Sequence, residues 1–326
     1  MKPLTRTVAT IAVALSAAIS TVGSVAADQG GTGRPATYEM TGDVGGSKFE
    51  GIGVDRAQKT FYVSEVTGGE IHRGDVRNGT TEEWMPAGVD GRFTARGITT
   101  DSHDRIYIAG GPNGIGTDRP DLWVYNHDGD LLAALRVDQP DAFLNDVAIG
   151  PDGAAYFTNS NAPQIFRVAF DGGNWNVSTW ADATGSITPG PGFNLGGIVV
   201  SADQRALVVA QGNVGALWRF DLATGIATQI DTGDADLSNA DGLVLSGHRL
   251  TVVRNFSRVI TTLRLDAHST AARVTNEVAT DPDRVFTTAK IAHGRLLVVD
   301  SKFDEQVAQP PYQVVSLHLN GQTPKP

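Results

Sequence analysis

A short phrase recurs six times along the chain, and its spacing constrains the fold more than any other feature. It opens at Glu50 in E-G-I-G-V-D, Arg96 in R-G-I-T-T-D, Asn145 in N-D-V-A-I-G, Gly196 in G-G-I-V-V-S, Asp241 in D-G-L-V-L-S and Thr287 in T-T-A-K-I-A. Neighbouring openings lie 46, 49, 51, 45 and 46 residues apart. That spacing holds four short strands with their turns, the roughly 40–50-residue period of a propeller blade.

The rest of each repeat supplies the strands this requires. Second strands are expected at 61–63, 106–108, 155–157, 206–209, 250–253 and 296–299, and third strands at 70–73, 122–125, 164–168, 216–220, 259–265 and 312–319. Pairs such as Asp128-Gly129, Asp171-Gly172 and Thr224-Gly225 supply hairpin turns. Fourth strands are legible at 81–84, 131–137, 177–180, 227–230 and 272–278, but the sixth repeat ends before one. A spare strand at 37–41 precedes the first repeat and completes the sixth, which removes the open sheet edges. The expected fold class is all-β: a six-bladed β-propeller of four-stranded blades, its ring closed by an N-terminal strand. Apolar residues at 40% and 38 glycines suit many short strands in one domain, 37–320, with a short tail at 321–326.

Ahead of that domain, Lys2 and Arg6 precede an apolar run from Ile11 to Val25 and the small residues Ala26 and Ala27. This is the order of a secretory signal over 1–27, cleaved after Ala26 or Ala27 and followed by a flexible leader at 28–36. A membrane anchor is the competing reading; Ser16, Ser20 and Thr21 interrupt the run and no charged stop-transfer cluster follows. No later segment is long and apolar enough to span a bilayer. The expected location is therefore outside the cell or in its envelope. The chain has no cysteine, which excludes disulfides, thiolate metal sites and a cysteine nucleophile. A net charge of −10 argues against a nucleic-acid partner and is compatible with cation binding as well as with plain solubility.

In a propeller the first strand of each blade lines the central channel, so the six opening residues converge at its mouth. Glu50 and Asp241 bring carboxylates and Asn145 an amide oxygen, the hard-oxygen set that suits Ca²⁺; without a histidine cluster zinc is disfavoured. The same polar ring could equally solvate a channel.

On these segments the chain resembles the SMP-30/gluconolactonase/LRE family of six-bladed propellers, which includes calcium-dependent lactonases. The resemblance runs from Phe49 to Leu319 and rests on F-E-G-I-G-V-D at 49–55, L-N-D-V-A-I-G-P-D-G at 144–153, G-I-V-V-S-A-D at 197–203, A-D-G-L at 240–243, T-T-A at 287–289 and V-V-D-S-K-F-D at 298–304. It implies one divalent metal, Ca²⁺, held by Glu50, Asn145 and Asp241. The family's fourth ligand is an asparagine where this chain has Gly196; the nearest amide is Asn194, which is taken as the fourth ligand. Asp241 is the expected general base for water attack on a lactone or related ester, in keeping with the family chemistry.

Strand direction assigns the remaining residues to faces. If first strands begin at the mouth, the turns holding His103, His248, His293 and His127 lie on the far face, which gives no support to a histidine-based hydrolase. Loops between second and third strands return to the mouth, those at 110–120 and 300–311 being the long ones. Arg96, Arg254 and Lys302, with Asn145, are the expected contacts to a small-molecule substrate; the alternative for the three basic residues is ion pairing with Asp118, Asp300 or Asp304. Two other classes stand beside the hydrolase: a ligand-binding or scaffold propeller without catalysis, and a propeller resembling strictosidine synthase with metal-independent chemistry.

Overall fold

Alternating apolar residues between turn-forming pairs build 24 strands in the computed structural model, which describes residues 34–111, 119–319 and 321. The signal-like segment, most of the leader and most of the tail lie outside the described residues, as does the greater part of the 110–120 loop. Strand β1 (Thr37–Met40) belongs to the last blade. Blade 1 is β2 (Phe49–Val54), β3 (Thr60–Glu65), β4 (Ile71–Asp75) and β5 (Thr81–Met85). Blade 2 is β6 (Ile98–Thr100), β7 (Ile106–Ala109), β8 (Leu122–Tyr125) and β9 (Leu131–Leu135). Blade 3 is β10 (Leu144–Ile149), β11 (Ala155–Asn159), β12 (Gln164–Asp171) and β13 (Asn174–Asp182). Blade 4 is β14 (Leu195–Val200), β15 (Ala206–Gln211), β16 (Ala216–Asp221) and β17 (Ala227–Gln229). Blade 5 is β18 (Ala240–Ser246), β19 (Arg249–Arg254), β20 (Val259–Leu265) and β21 (Ala272–Ala279). Blade 6 is β22 (Phe286–Ala292), β23 (Arg295–Asp300) and β24 (Tyr312–His318), with β1 as its fourth strand.

Each blade is an antiparallel sheet in strand order, so the six-bladed propeller expected from the repeats is the fold. The closing strand pairs as anticipated, with Thr37 opposite Val315 and Met40 opposite Tyr312. Tyr38 fixes this strand to the next blade by donating its hydroxyl to the Val76 carbonyl at 2.8 Å. Beneath it Tyr38, Phe49, Phe61, Val299, Tyr312 and Val314 form a buried cluster that joins the last blade to the first. Full burial of each such aromatic contributes about 1.5–3 kcal/mol. Comparable clusters sit between the other blades, for example Tyr156, Ile165, Leu207, Trp218 and Phe220 between blades 3 and 4.

The recurring phrase has a common structural cause. In blades 1, 3, 4, 5 and 6 the pairing of the first two strands slips at the phrase, between Phe49 and Ile52, Leu144 and Val147, Leu195 and Ile198, Ala240 and Leu243, and Phe286 and Ala289. Each slip is a bulge that leaves two residues out of the ladder and re-aims their side chains. The first of the two is the residue that opens the phrase. The second faces the next blade at such close range that Cβ is often excluded: at Gly51 it would stand 2.2 Å from the Arg96 carbonyl oxygen, and at Gly197 2.1 Å from that of Asp241. Blade follows blade through contacts at this level, including Gly97 N–H to Asn145 O at 2.7 Å and the Thr287 hydroxyl to Glu50 O at 2.9 Å. Among the described residues no helix is long and apolar enough to cross a membrane.

Candidate functional site at the channel mouth

The bulges bring Glu50, Asn145, Gly196 and Asp241 to the foot of one cavity of about 540 Å³, where Arg96, just ahead of β6, joins them. Glu50 is buried, and the Arg96 guanidinium donates from Nη1 to its Oε2 at 2.9 Å. The same guanidinium lies 4.0 Å from the ring centre of Phe143, a cation–π contact that fixes its plane. Burial raises the Glu50 pKa, and Arg96 opposes that rise. Asp241 holds its carboxyl by a different arrangement: Asn255 Nδ2 donates to its Oδ2 at 2.9 Å, and among the described residues no basic side chain bonds it. Desolvation, then the charge of Glu50, push its pKa well above the ordinary aspartate value.

A position vacant of side chain separates the other two oxygens. A Cβ built on Gly196 would stand 3.8 Å from Asn145 Oδ1 and 3.8 Å from Asp241 Oδ1, an ordinary contact distance to both. Gly196 therefore borders both groups while contributing neither donor nor acceptor from a side chain. The mouth offers a cation two carboxylates and one amide oxygen. Among the described residues no three His, Cys, Asp or Glu side chains gather as a metal cluster.

The other residues expected at the site have different surroundings. Asn194 lines the cavity, but its carboxamide is committed to its own loop. Its Oδ1 accepts from Gly190 N at 2.7 Å, Gln211 Nε2 at 3.2 Å and Asn213 Nδ2 at 3.0 Å. Its Nδ2 donates to the carbonyls of Ser160, Gly190 and Gly192. With three donors already on one oxygen, Asn194 serves as the clasp of the 188–194 loop. Arg254 is drawn away from the cavity by Asp236 at 2.5 Å, Glu277 at 3.3 Å and the Ser238 carbonyl. Lys302 is held by Asp300 at 3.5 Å and Glu305 at 3.2 Å. Neither lines the cavity. Ion pairing is thus the role the structure gives these two, through Asp300 as expected for Lys302 and through partners other than the expected ones for Arg254.

Three groups at the site were missed by the sequence reading. Asp146, second residue of its bulge, is buried below the mouth and accepts from Val147 N at 2.8 Å and Ile198 N at 3.2 Å; burial raises its pKa against the field of Lys290. Asn255 orients Asp241. A wall of phenylalanines, Phe143, Phe193, Phe256 and Phe303, rises around the polar foot. Phe143 and Phe193 lie in linkers from a fourth strand to the next first strand. Those linkers share the mouth face, because a blade of four strands returns to the face it started from; strand parity alone would have located them.

No protein-family model matches the chain, and no curated protein matches it in sequence. Solved structures do match in fold. The major allergen Mala s 1 of Malassezia sympodialis aligns with a TM-score of 0.62 at 19% identity, over 86% of this chain and 96% of that one. A catalytically inactive virginiamycin B lyase from Staphylococcus aureus, solved with quinupristin, aligns at 0.59 and 16% identity over 81% of each chain. A gluconolactonase from Xanthomonas campestris aligns at 0.58 and 17% identity, over 83% and 86%. The two enzymes among these differ in activity, and at such identities the likeness is one of fold.

Proposed function

We propose that the chain is an exported hydrolase that opens a lactone or a related ester in the mouth cavity with one divalent cation, Ca²⁺ by the chemistry of its donors. The observation that carries this reading is the convergence of Glu50, Asn145 and Asp241 at the foot of the cavity, with Asp241 lacking a basic partner among the described residues. Those three side chains would hold the ion, their oxygens suiting its hardness, with Glu50 shared between the ion and Arg96. The bound ion would supply polarisation of the substrate carbonyl and acidification of a water. The resemblance of the first-strand segments to calcium-dependent lactonases supports the same reading, as does the gluconolactonase among the fold neighbours.

The chain's own residues then divide the work. Arg96, held by Glu50 and by the face of Phe143, directs a rigid cation toward the carbonyl oxygen. Asn145 adds an amide beside it. Asp241 keeps Oδ2 on Asn255 and has Oδ1 for the proton of the attacking water. The water oxygen bonds to the carbonyl carbon, the ring C–O bond breaks, and the proton taken by Asp241 passes to the departing alkoxide. Export rests on the charged, apolar and small-residue order of residues 1–27. Sequencing the amino terminus of protein recovered from culture medium should give Ala27 or Asp28.

A second reading is favoured by one observation: Arg96 already neutralises Glu50, and Gly196 leaves the donor set short of one side-chain oxygen. On that reading the guanidinium is the resident cation, and the propeller binds a ligand or works without metal. Calorimetric Ca²⁺ titration of chelator-stripped protein, followed by lactone hydrolysis with and without Ca²⁺, separates the two. One-to-one binding with Ca²⁺-dependent turnover that Asp241→Asn abolishes supports the hydrolase; turnover indifferent to chelator, or none, removes it.

A further inference from the structure

The foot and the wall of the mouth cavity differ in chemistry. Phe193 is 58% exposed and Phe256 49% exposed, large apolar side chains left in water at the rim of the same cavity, with Phe303 beside them and Phe143 buried beneath. Phe193 is not a loose surface residue. It ends the segment T-P-G-P-G-F, and the adjoining Asn194 carboxamide makes three hydrogen bonds to that segment, at Gly190 and Gly192, and three to Ser160, Gln211 and Asn213 beside it. Its ring packs on Phe143 at 4.6 Å between centroids, and Phe143 in turn carries the Arg96 guanidinium at 4.0 Å. A continuous column therefore runs from the Glu50 carboxylate through Arg96 and Phe143 to an exposed phenyl face. A rigid apolar face held in water is the form a preorganised binding surface takes.

The polar side chains on the wall are each tied to the protein by at least one hydrogen bond, and Asn213 Oδ1 is buried without a partner. Ser160 donates to the Leu195 carbonyl at 2.7 Å, Asn213 to the Pro191 carbonyl at 3.1 Å and Asn239 to Ser257 at 3.0 Å. Asn255 donates to Asp241 and accepts from Phe256 N at 2.6 Å. A sugar lactone would face phenyl rings with hydroxyls that lose water and gain few partners, whereas an alkyl or aryl group would bury apolar area.

We infer that the substrate class is a lactone or ester carrying an alkyl or aryl group on its alkoxy side, that group lying on Phe193, Phe256 and Phe303 while the carbonyl meets the polar foot; this rests on the hydrolase reading of the same cavity. The test compares δ-decalactone with glucono-1,5-lactone, two six-membered lactones that differ in an alkyl chain against hydroxyls. In the presence of Ca²⁺, kcat/KM should favour δ-decalactone at least tenfold. That ratio should fall about tenfold, through KM, in Phe193→Ala and in Phe256→Ala, both rim substitutions that leave the interblade cores intact. A preference for glucono-1,5-lactone, or a ratio unmoved by both substitutions, overturns the inference. If neither lactone is hydrolysed, the hydrolase reading fails separately, and the two lactones become binding probes in calorimetry. Preferential binding of δ-decalactone, weakened about tenfold by Phe193→Ala, then sustains the apolar-group assignment; equal binding of the two, or none, overturns it.

Discussion

Replacing Gly196 with asparagine should tighten Ca²⁺ binding, and the size of the gain follows from the mouth geometry. The backbone at Gly196 lies outside the left-handed region, and a Cβ there meets Asn145 Oδ1 and Asp241 Oδ1 at 3.8 Å, so the first side-chain carbon enters at ordinary contact distance. The carboxamide oxygen introduced by Gly196→Asn would add a neutral donor to a cation, an interaction of the class worth about 1.5–3 kcal/mol when a charged group is involved. Ordering the new side chain opposes it by about 1 kcal/mol. The remainder, about 0.5–2 kcal/mol, corresponds to roughly 2–30-fold in Kd. Gly196→Ala separates the contributions: it lacks the oxygen but shares the loss of glycine freedom in the unfolded chain, so it should raise stability by about 0.4–1 kcal/mol without tightening the ion. Calorimetric titration of the three chelator-stripped proteins, with thermal melts beside it, reads both effects. Folded Gly196→Asn protein that binds Ca²⁺ no more tightly than Gly196→Ala would show that position 196 does not face a cation site.

The neighbouring glycine should behave in the opposite way: Gly197→Ala forces a Cβ to 2.1 Å from the Asp241 carbonyl, so chemical melts should show a loss of about 1–3 kcal/mol or more. Arg96→Met strips the buried Glu50 carboxylate of its partner and should cost about 3–5 kcal/mol in Ca²⁺-free protein, with part of the loss recovered on adding Ca²⁺; equal losses with and without the ion would contradict a shared site. Asn194→Ala should leave Ca²⁺ affinity within about twofold of the parent, since its oxygen is occupied by three protein donors, while limited proteolysis should cut more readily within 188–193. Glu70, buried on blade 1 with Oε2 unpartnered, has its pKa raised to about 7 by burial and then, against its own backbone hydrogen bond, by Glu65. The native state holds this proton more tightly than the unfolded chain, so stability should fall as pH rises from about 4.5 to 7 and level above that window. Glu70→Gln should flatten this slope and gain on the order of 2 kcal/mol at pH 8 in urea melts; an unchanged slope would assign it to other groups.

The architecture was legible because a propeller writes its period into the chain. Six first strands each need an apolar core, and the close approach of the next blade demands a small residue, which is why Gly51, Gly97, Gly197 and Gly242 follow the phrase's opening residues. Glu50, Arg96, Asn145 and Asp241 could be placed together from that repeat alone. Asn194 could not be judged from sequence, because its role depends on Gly190, Gln211 and Asn213 folding back onto one carboxamide. Arg254, the last residue of β19, and Lys302, in the loop after β23, sit at the ends of second strands, yet Asp236, Glu277 and Glu305 lie close enough to take their charges, a matter of side-chain reach that strand order does not encode. The phenyl wall was hidden for another reason: Phe143 and Phe193 occupy linkers of irregular length, outside the repeat that drew attention to the rest.

The bulges at the mouth have a consequence for how such a chain can diversify. At each one a residue has stepped out of its strand's hydrogen-bond ladder, so its identity is not policed by sheet pairing, and in four of the five, Glu50, Asn145, Gly196 and Asp241, it meets the cavity. Glutamate, asparagine, glycine, aspartate and threonine all occupy that step in this one molecule, on blades of the same construction. Substitution there alters what the channel can hold while the interblade cores go on specifying the ring. What the channel holds and what holds the ring together are thus written at different positions of the same strands.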